Sequence, residues 1–459
     1  MPRVSKPKRE RSSSSSLSSL ANTNVKTKIE PLPYPSDSVS PPSKPRKKLK
    51  QEPSNGHPSK NGVDEMEIKK KEPRKKKEKP WPPIDLQTDL HPPRYGHPPY
   101  DFGTGIIPSK PISLGAHVSI AGGPAGALLR AGLAGANGLG MFVKSQRQWK
   151  SNPYEEETVK RFKELLRTNE EGGLGYGHQD VLVHGSYLIN LGNPDPEKWK
   201  TSYECFKDDI SRCHQLGLRL YNWHPGSTVG ACSKEESFEL IAKAINLVHE
   251  EVPEVITVIE NMANAGSNII GTSFSDLSSI ISLVEDKSRV RVCLDTCHLF
   301  AAGYDLRTPE AYAETMTKFG DEIGWEYIGG MHLNDSKADL GGNKDLHENI
   351  GLGKIGLSAF RQIMRDQRLQ NIPMVLETPA PEKALEAGNL AIWSKEIQLL
   401  YEIQGISDGE WVNKEEEIMV RWRKERDEIN PPKEKPPKGA KAPKGKKGKK
   451  DKEESEEED

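Results

Sequence analysis

The stretch at residues 290–298, VRVCLDTCH, is a short apolar, β-branched run that ends in a carboxylate and an imidazole, Asp295 and His298. Such a run reads as a buried strand, and charge at its end is costly unless it pairs or binds a metal. A single Asp-His pair reads as structural. The same pattern recurs, however, with His184 in VLVHGSY, His224 in RLYNWHPG, Glu260 in ITVIEN, His332 in IGGMHLND and Glu377 in PMVLETP. Asp345 and His347 add the tripeptide DLH, in which alternate residues of an extended segment point the same way and can bind one ion. Imidazole with carboxylate suits zinc, and also manganese or iron, while magnesium prefers oxygen. Five imidazoles and four carboxylates exceed what one ion can use, so the set fits two or three ions with a bridging carboxylate.

Elements must bring these residues together. From residue 113, eight short apolar runs alternate with amphipathic segments such as ETVKRFKELLRTNE, KWKTSYECFKDDISRCHQLG, SKEESFELIAKAINLVHEEV and FSDLSSIISLVED. Several of these begin at Ser, Thr or Asp, as helix N-caps prefer. The eightfold alternation predicts an α/β fold, a (β/α)8 TIM barrel, with a doubly wound open sheet as the alternative. Active sites of that barrel lie at the C-terminal ends of strands. His117, Lys144 and Asp335, with the candidate ligands, fall late in or just after their runs.

Composition divides the chain. Residues 1–110 are rich in Ser, Pro and Lys without a sustained apolar period, and 425–459 are similar, closing in EESEEED. These segments cannot bury enough surface to offset ordering entropy, which predicts disordered tails. The expected organisation is a disordered basic tail over 1–110, a barrel domain over 111–410, then a helical extension and a Lys-rich, acidic tail over 411–459. The net charge of −1 hides a balance of +12 over residues 1–80 and about −15 over 81–432. So acidic a body would attract a polyanion only through its tails or bound metal.

Five cysteines without a CxxC pair argue for a reducing compartment. Cys297, between Asp295 and His298, reads as a buried spacer thiol. No apolar stretch reaches 18 residues, which predicts no membrane span. The clusters PRKKLK at 45–50 and KKKEPRKKKEK at 69–79 fit nuclear import, with an import receptor as partner, or nonspecific nucleic-acid contact. The basic, Ser-rich start weakly resembles a transit peptide, which would add the mitochondrion to a nuclear location; its early prolines and Glu10 count against that.

The strings GAHVS, QRQW, HGSYLINLG, HPGS, ENMANAGSN, CLDTCH, AAGYDL, HLNDSK, GLGKIG and LETP, in order over residues 112–405, resemble the endonuclease IV family, most nearly its fungal type. Members are trinuclear zinc apurinic/apyrimidinic endonucleases of base-excision repair. The resemblance implies a monomeric hydrolase with three zinc ions per chain and double-stranded DNA as substrate. Glu260 would bridge two zincs, one also held by His184 and His224, the other by Asp295, His332 and Glu377. His298, Asp345 and His347 would hold the third. It implies cleavage 5′ to abasic sites, leaving a 3′-hydroxyl and a 5′-deoxyribose phosphate, with removal of blocked 3′ ends. It further implies that Arg147, Gln148, Tyr187 and Leu188 enter the helix while the baseless nucleotide is flipped out. Trp149 reads as core packing. Two departures concern Gly185, where many members have an acidic residue, and Asn264, where Gly is common. A sugar isomerase is the rival reading from the fold, though such sites hold fewer ions on mainly carboxylate ligands. A non-catalytic DNA-binding protein is the other, and the intact ligand set argues against it.

Overall fold

The computed structural model describes residues 112–168, 171–381, 385 and 389–431. Residues 1–110, with both basic clusters, and the acidic end of the chain lie outside the described residues.

The eight apolar runs form eight strands: β1 (Leu114–Ala116), β2 (Leu139–Phe142), β3 (Val181–His184), β4 (Leu220–Trp223), β5 (Ile256–Glu260), β6 (Val290–Asp295), β7 (Ile328–Leu333) and, after an inserted hairpin, β10 (Met374–Leu376). They pair in parallel in the order β1-β10-β7-β6-β5-β4-β3-β2. The ring closes between β1 and β2, where His117 bridges Gly140 and the Val118 N–H donates to the Gly140 carbonyl at 2.9 Å. Closure demands glycine at 115, because a Cβ there would run into the Gly138 carbonyl oxygen. The molecule is a TIM barrel.

Helices α1 (Ala125–Leu133), α2 (Glu156–Leu166), α3 (Pro196–Leu216), α4 (Lys234–Glu251), α5 (Phe274–Leu283), α6 (Thr296–Ala301), α7 (Pro309–Glu322), α8 (Leu357–Arg365) and α9 (Ala391–Gln404) follow the strands. Their starts are local chemistry. Asp195 caps α3 through the Glu197 and Lys198 amides, Ser233 and Glu236 form a reciprocal capping box on α4, and Ser273 and Thr308 cap α5 and α7.

Two features differ from the sequence reading. A hairpin of β8 (Asp335–Ser336) and β9 (His347–Glu348) interrupts the alternation and carries Asp345 and His347 toward the barrel mouth. The last helix, α10 (Asp408–Ile429), begins three residues before the expected 411 and runs past 425, where tail composition sets in. It is held to the barrel by Trp411, Ile418 and Trp422, a stripe at helical spacing hidden among Lys and Glu. The Trp422 indole N–H donates to the Ile350 carbonyl at 2.8 Å, bracing the segment that follows His347.

Candidate metal centre

Side chains on a strand alternate, so residues two apart face the same way. Leu182, Leu220, Val258, Cys293 and Val375 pack together in a small cluster of their own. One layer up, two residues on from each, stand His184, Asn222, Glu260, Asp295 and Glu377. His332 joins them from β7, where it is paired in register with Asp295 and Val375. The strand pattern that fills the barrel thus aims the candidate ligands into its mouth.

Glu260 lies at the bottom of this cup, fully buried. Its Oε2 is 3.5 Å from the Nε2 atoms of both His184 and His224, and its Oε1 is 3.1 Å from His332 Nδ1. His332 Nδ1 also lies 3.4 Å from Glu377 Oε2 and 3.9 Å from Asp295 Oδ2. At the other side His298 Nε2 and His347 Nε2 approach Asp345 at 3.2 and 2.9 Å. His184–His224–Glu260 and His298–Asp345–His347 each bring three donor atoms within 4.8 Å of one another, the span of a first coordination sphere. The structure therefore brings together all nine residues of the candidate set.

The histidines are oriented by backbone. Carbonyls of Gly185, Asn261 and Glu377 lie 2.8, 2.8 and 3.2 Å from Nδ1 of His184, His298 and His347, which places the ring proton on Nδ1 and the Nε2 lone pair inward. His298 Nε2 and His347 Nε2 are buried and, though 3.2 and 2.9 Å from Asp345, make no aligned hydrogen bond. A buried lone pair in that condition fits a metal ion. No Lys or Arg is paired with any of the four carboxylates in the described residues. Burial pushes Glu260 up, but His332, His224 and His184 outweigh it and hold the carboxyl well below its usual range. In return His298 and His332 are raised well above the ordinary imidazole value despite their burial, and His347 rises to about 9. Carboxylates that pull protons onto these imidazoles demand positive charge, which divalent ions supply. The donor set fits zinc.

Sequence reading missed two residues that hold the candidate ligands, Asn222 and Asn334, and named His117 only by its place at a strand end. Asn222 donates to Glu260 Oε2 at 2.5 Å, and Asn334 donates to Asp295 Oδ2 at 2.7 Å while accepting the Glu377 amide at 3.1 Å. His117 pairs with Glu377 at 2.9 Å. Cys297 is buried, as expected of a spacer, and burial pushes its thiol up to about 12. Asp335 and Lys144 do not serve the cup. Asp335 accepts four backbone N–H groups, from Ser336, Gly353, Ile355 and Gly356, and so folds the GLGKIG loop. Lys144 turns into α3, where it meets Asp208 and Asp209.

Arg147 and Gln148 lie exposed in the loop after β2, with Trp149 beside them at 40% exposure, on the surface and outside the core in which it was expected. Tyr187 is 52% exposed, and its ring nevertheless packs 5.4 Å from that of His184 and 6.1 Å from that of His224. Leu188 follows it, partly buried. Asn264 has φ of 57°, a left-handed conformation that Asn adopts readily after Gly, and so preserves the loop.

Residues 129–403 match the family described as xylose isomerase-like TIM barrel. The chain is 49% identical over 277 residues to apurinic-apyrimidinic endonuclease 1 of Schizosaccharomyces pombe, covering 60% of this chain and 77% of that protein. It is 44% identical over 295 residues to the protein of the same name from Plasmodium berghei, covering 64% of this chain and 56% of that one. Among solved structures, endonuclease IV from Thermus thermophilus superposes with a TM-score of 0.52 at 32% identity, over 62% of this chain and 98% of that one. On the barrel, on the ordered motifs and on these likenesses, the chain belongs to the endonuclease IV family of xylose isomerase-like TIM barrels.

Proposed function

We propose that this protein is a zinc-dependent DNA-repair endonuclease that hydrolyses the phosphodiester 5′ to abasic sites, leaving a 3′-hydroxyl and a 5′-deoxyribose phosphate. The names of its relatives support the reaction class. The observation that carries the reading is the cup itself, with four carboxylates and five histidines whose donor atoms converge in sets of metal-binding span.

His184, His224 and Glu260 would hold one ion; Glu260, Asp295, His332 and Glu377 a second; His298, Asp345 and His347 a third. When bound, the ions supply Lewis-acid polarisation of the phosphodiester and a nucleophilic water at neutral pH. The two oxygens of Glu260 face different histidines, so that this carboxylate would serve both sets. Asn222 and Asn334 keep the carboxylates from rotating, and backbone carbonyls keep the imidazoles aimed. Three dications against four carboxylates leave a local excess of positive charge inside an acidic fold, which receives a phosphate.

Tyr187 borders the cup and Arg147, Gln148 and Leu188 stand on loops beside it, where they would fill the space of a missing base. The same cup would process blocked 3′ ends, which need less distortion of the DNA. The basic clusters support a nuclear destination reached through an import receptor, with a mitochondrial share, and the barrel would act as a monomer.

The test is elemental analysis with turnover on a duplex carrying a tetrahydrofuran abasic analogue, in magnesium-free buffer with EDTA. About three zincs per chain and sustained cleavage are expected, as the nine ligands require. One zinc, or a magnesium requirement, would remove the trinuclear reading.

A further inference from the structure

We propose that a buried cluster outside the cup, built on Lys144, Asp208, Asp209 and Arg212, fixes the two loops beside the cup in one mutual position, with Asp209 as its positioning residue. The inference rests on the reading that Arg147, Gln148, Tyr187 and Leu188 enter DNA.

Lys144 is the last buried residue before the exposed loop after β2, and its side chain is almost completely enclosed. Its Nζ lies 2.7 Å from Asp208 Oδ2 and 3.0 Å from Asp209 Oδ1, and donates to the Cys205 carbonyl at 3.2 Å, all on α3. Asp209 turns its other oxygen to the loop after β3, where Oδ2 accepts the Ser186 N–H at 3.3 Å and the Tyr221 hydroxyl at 3.1 Å. Ser186 closes the circuit. Its hydroxyl donates to the Gln146 carbonyl at 2.8 Å and accepts the Leu188 N–H at 3.3 Å. One path therefore runs from the loop of Arg147 through α3 to the loop of Tyr187 and back.

Arg212 holds the far end of the first loop. Its Nε is 3.0 Å from Asp208 Oδ2, and its terminal nitrogen donates to the Ser151 and Asn152 carbonyls at 3.1 Å. The exposed tip, residues 147–150, is thus pinned at both bases. Two cations face two carboxylates, so the cluster balances its own charge.

The circuit uses the departure at Gly185. A Cβ there would lie 2.5 Å from the Tyr221 hydroxyl oxygen and 3.0 Å from Trp223 Cβ. Where many members carry an acidic side chain, this chain puts the Tyr221 hydroxyl, which reaches Asp209. Glycine at 185 and tyrosine at 221 are two halves of one arrangement.

Loops held in one position before DNA arrives lose less freedom on binding, so the cluster acts on recognition of intact duplex and not on the chemistry. The test compares metal-loaded, full-length protein on a duplex with a tetrahydrofuran site and on a gapped duplex with a frayed, blocked 3′ end. Asp209→Asn should raise KM on the intact duplex about tenfold, with kcat, zinc content and turnover of the frayed substrate within about twofold. Ser186→Ala and Tyr221→Phe remove single hydroxyls and should act in the same direction by about threefold, which keeps the test open if Asp209→Asn folds poorly. Equal losses on both substrates, or an unchanged KM in all three variants, would overturn the proposal. Arg147→Ala combined with Tyr187→Ala is run beside them. If that pair raises KM and the cluster variants do not, the positioning role alone falls; if it leaves KM unchanged, the loops do not read DNA and both readings fall.

Discussion

Two groups of ionisable side chains, each largely buried but with one partly exposed carboxylate, Asp345 in one and Asp208 in the other, are built on opposite principles. The cup gathers four carboxylates and five imidazoles, pairs none of the carboxylates with Lys or Arg among the described residues, and leaves the imidazoles to face carboxylates alone. The Lys144 cluster sets two cations against two carboxylates and turns its remaining contacts to loop backbone, to the Cys205 carbonyl and to the Tyr221 hydroxyl. Burial of charge is common to both. What separates a binding site from a positioning device is whether the local inventory of charge and donors closes. If this is right, damage to the cup should cost catalysis while sparing the fold, and damage to the cluster should cost stability and recognition of intact duplex while sparing the metal.

The largest effect is expected at Glu260. Glu260→Gln keeps the size of the side chain and the contact with Asn222 but removes the charge between two ligand sets. Turnover on an abasic-site duplex should fall by about a thousandfold, comparable to losing a major electrostatic contribution, while the thermal melt moves little. Zinc content should also drop. Near-normal turnover would take Glu260 out of the mechanism and erase the contrast between the two clusters.

A smaller effect, on stability, is expected at Lys144. Lys144→Met preserves length and apolar volume but leaves Asp209 buried without its cation, at a cost of about 3 kcal/mol in urea unfolding. Zinc per chain should stay as in the parent. Loss of zinc together with full stability would show that Lys144 serves the cup after all.

The sequence displayed the cup more clearly than the cluster, for a physical reason. Histidine and carboxylate at strand ends are unusual, and eight repeats of the pattern place them on one rim whatever the loops do. Lys144 ends an apolar run in the same way, but a lone lysine does not reveal whether it faces the mouth or a helix; only the partners Asp208 and Asp209, more than sixty residues later, decide that. Asn334 was invisible because asparagine just after a strand is ordinary turn chemistry, and Asn222 because one amide inside an apolar run carries no sign of its partner. Trp149 was misplaced since an indole flanked by polar residues suits a core and an exposed platform equally. The packed helix α10 was obscured because Trp411, Ile418 and Trp422 are three residues in a window dominated by Lys and Glu.

A third buried group tests the rule between these extremes. Glu396 on α9 is fully buried and accepts the Asn349 side-chain amide at 3.1 Å, the Ile350 N–H at 2.9 Å and the Thr378 hydroxyl, so its acceptors are satisfied. No cation is paired with it among the described residues, and burial pushes its carboxyl from 4.5 up to about 7. It bonds Asn349, Ile350 and Thr378, on the segments that follow His347 and Glu377. A carboxyl whose folded value is raised contributes stability that is present in full below its ordinary value near 4.5 and is lost as pH rises through about 7. Glu396→Gln cannot ionise and can keep accepting from Asn349 and Ile350. Relative to the parent, the variant should therefore gain stability between pH 5 and pH 8 by on the order of 2 kcal/mol, read from urea midpoints at the two pH values. A difference that does not change with pH would mean that the field of the cup already compensates the Glu396 charge. Glu396 would then belong with the ligand cluster, and satisfied hydrogen bonds without a paired cation would no longer mark a group as separate from the site.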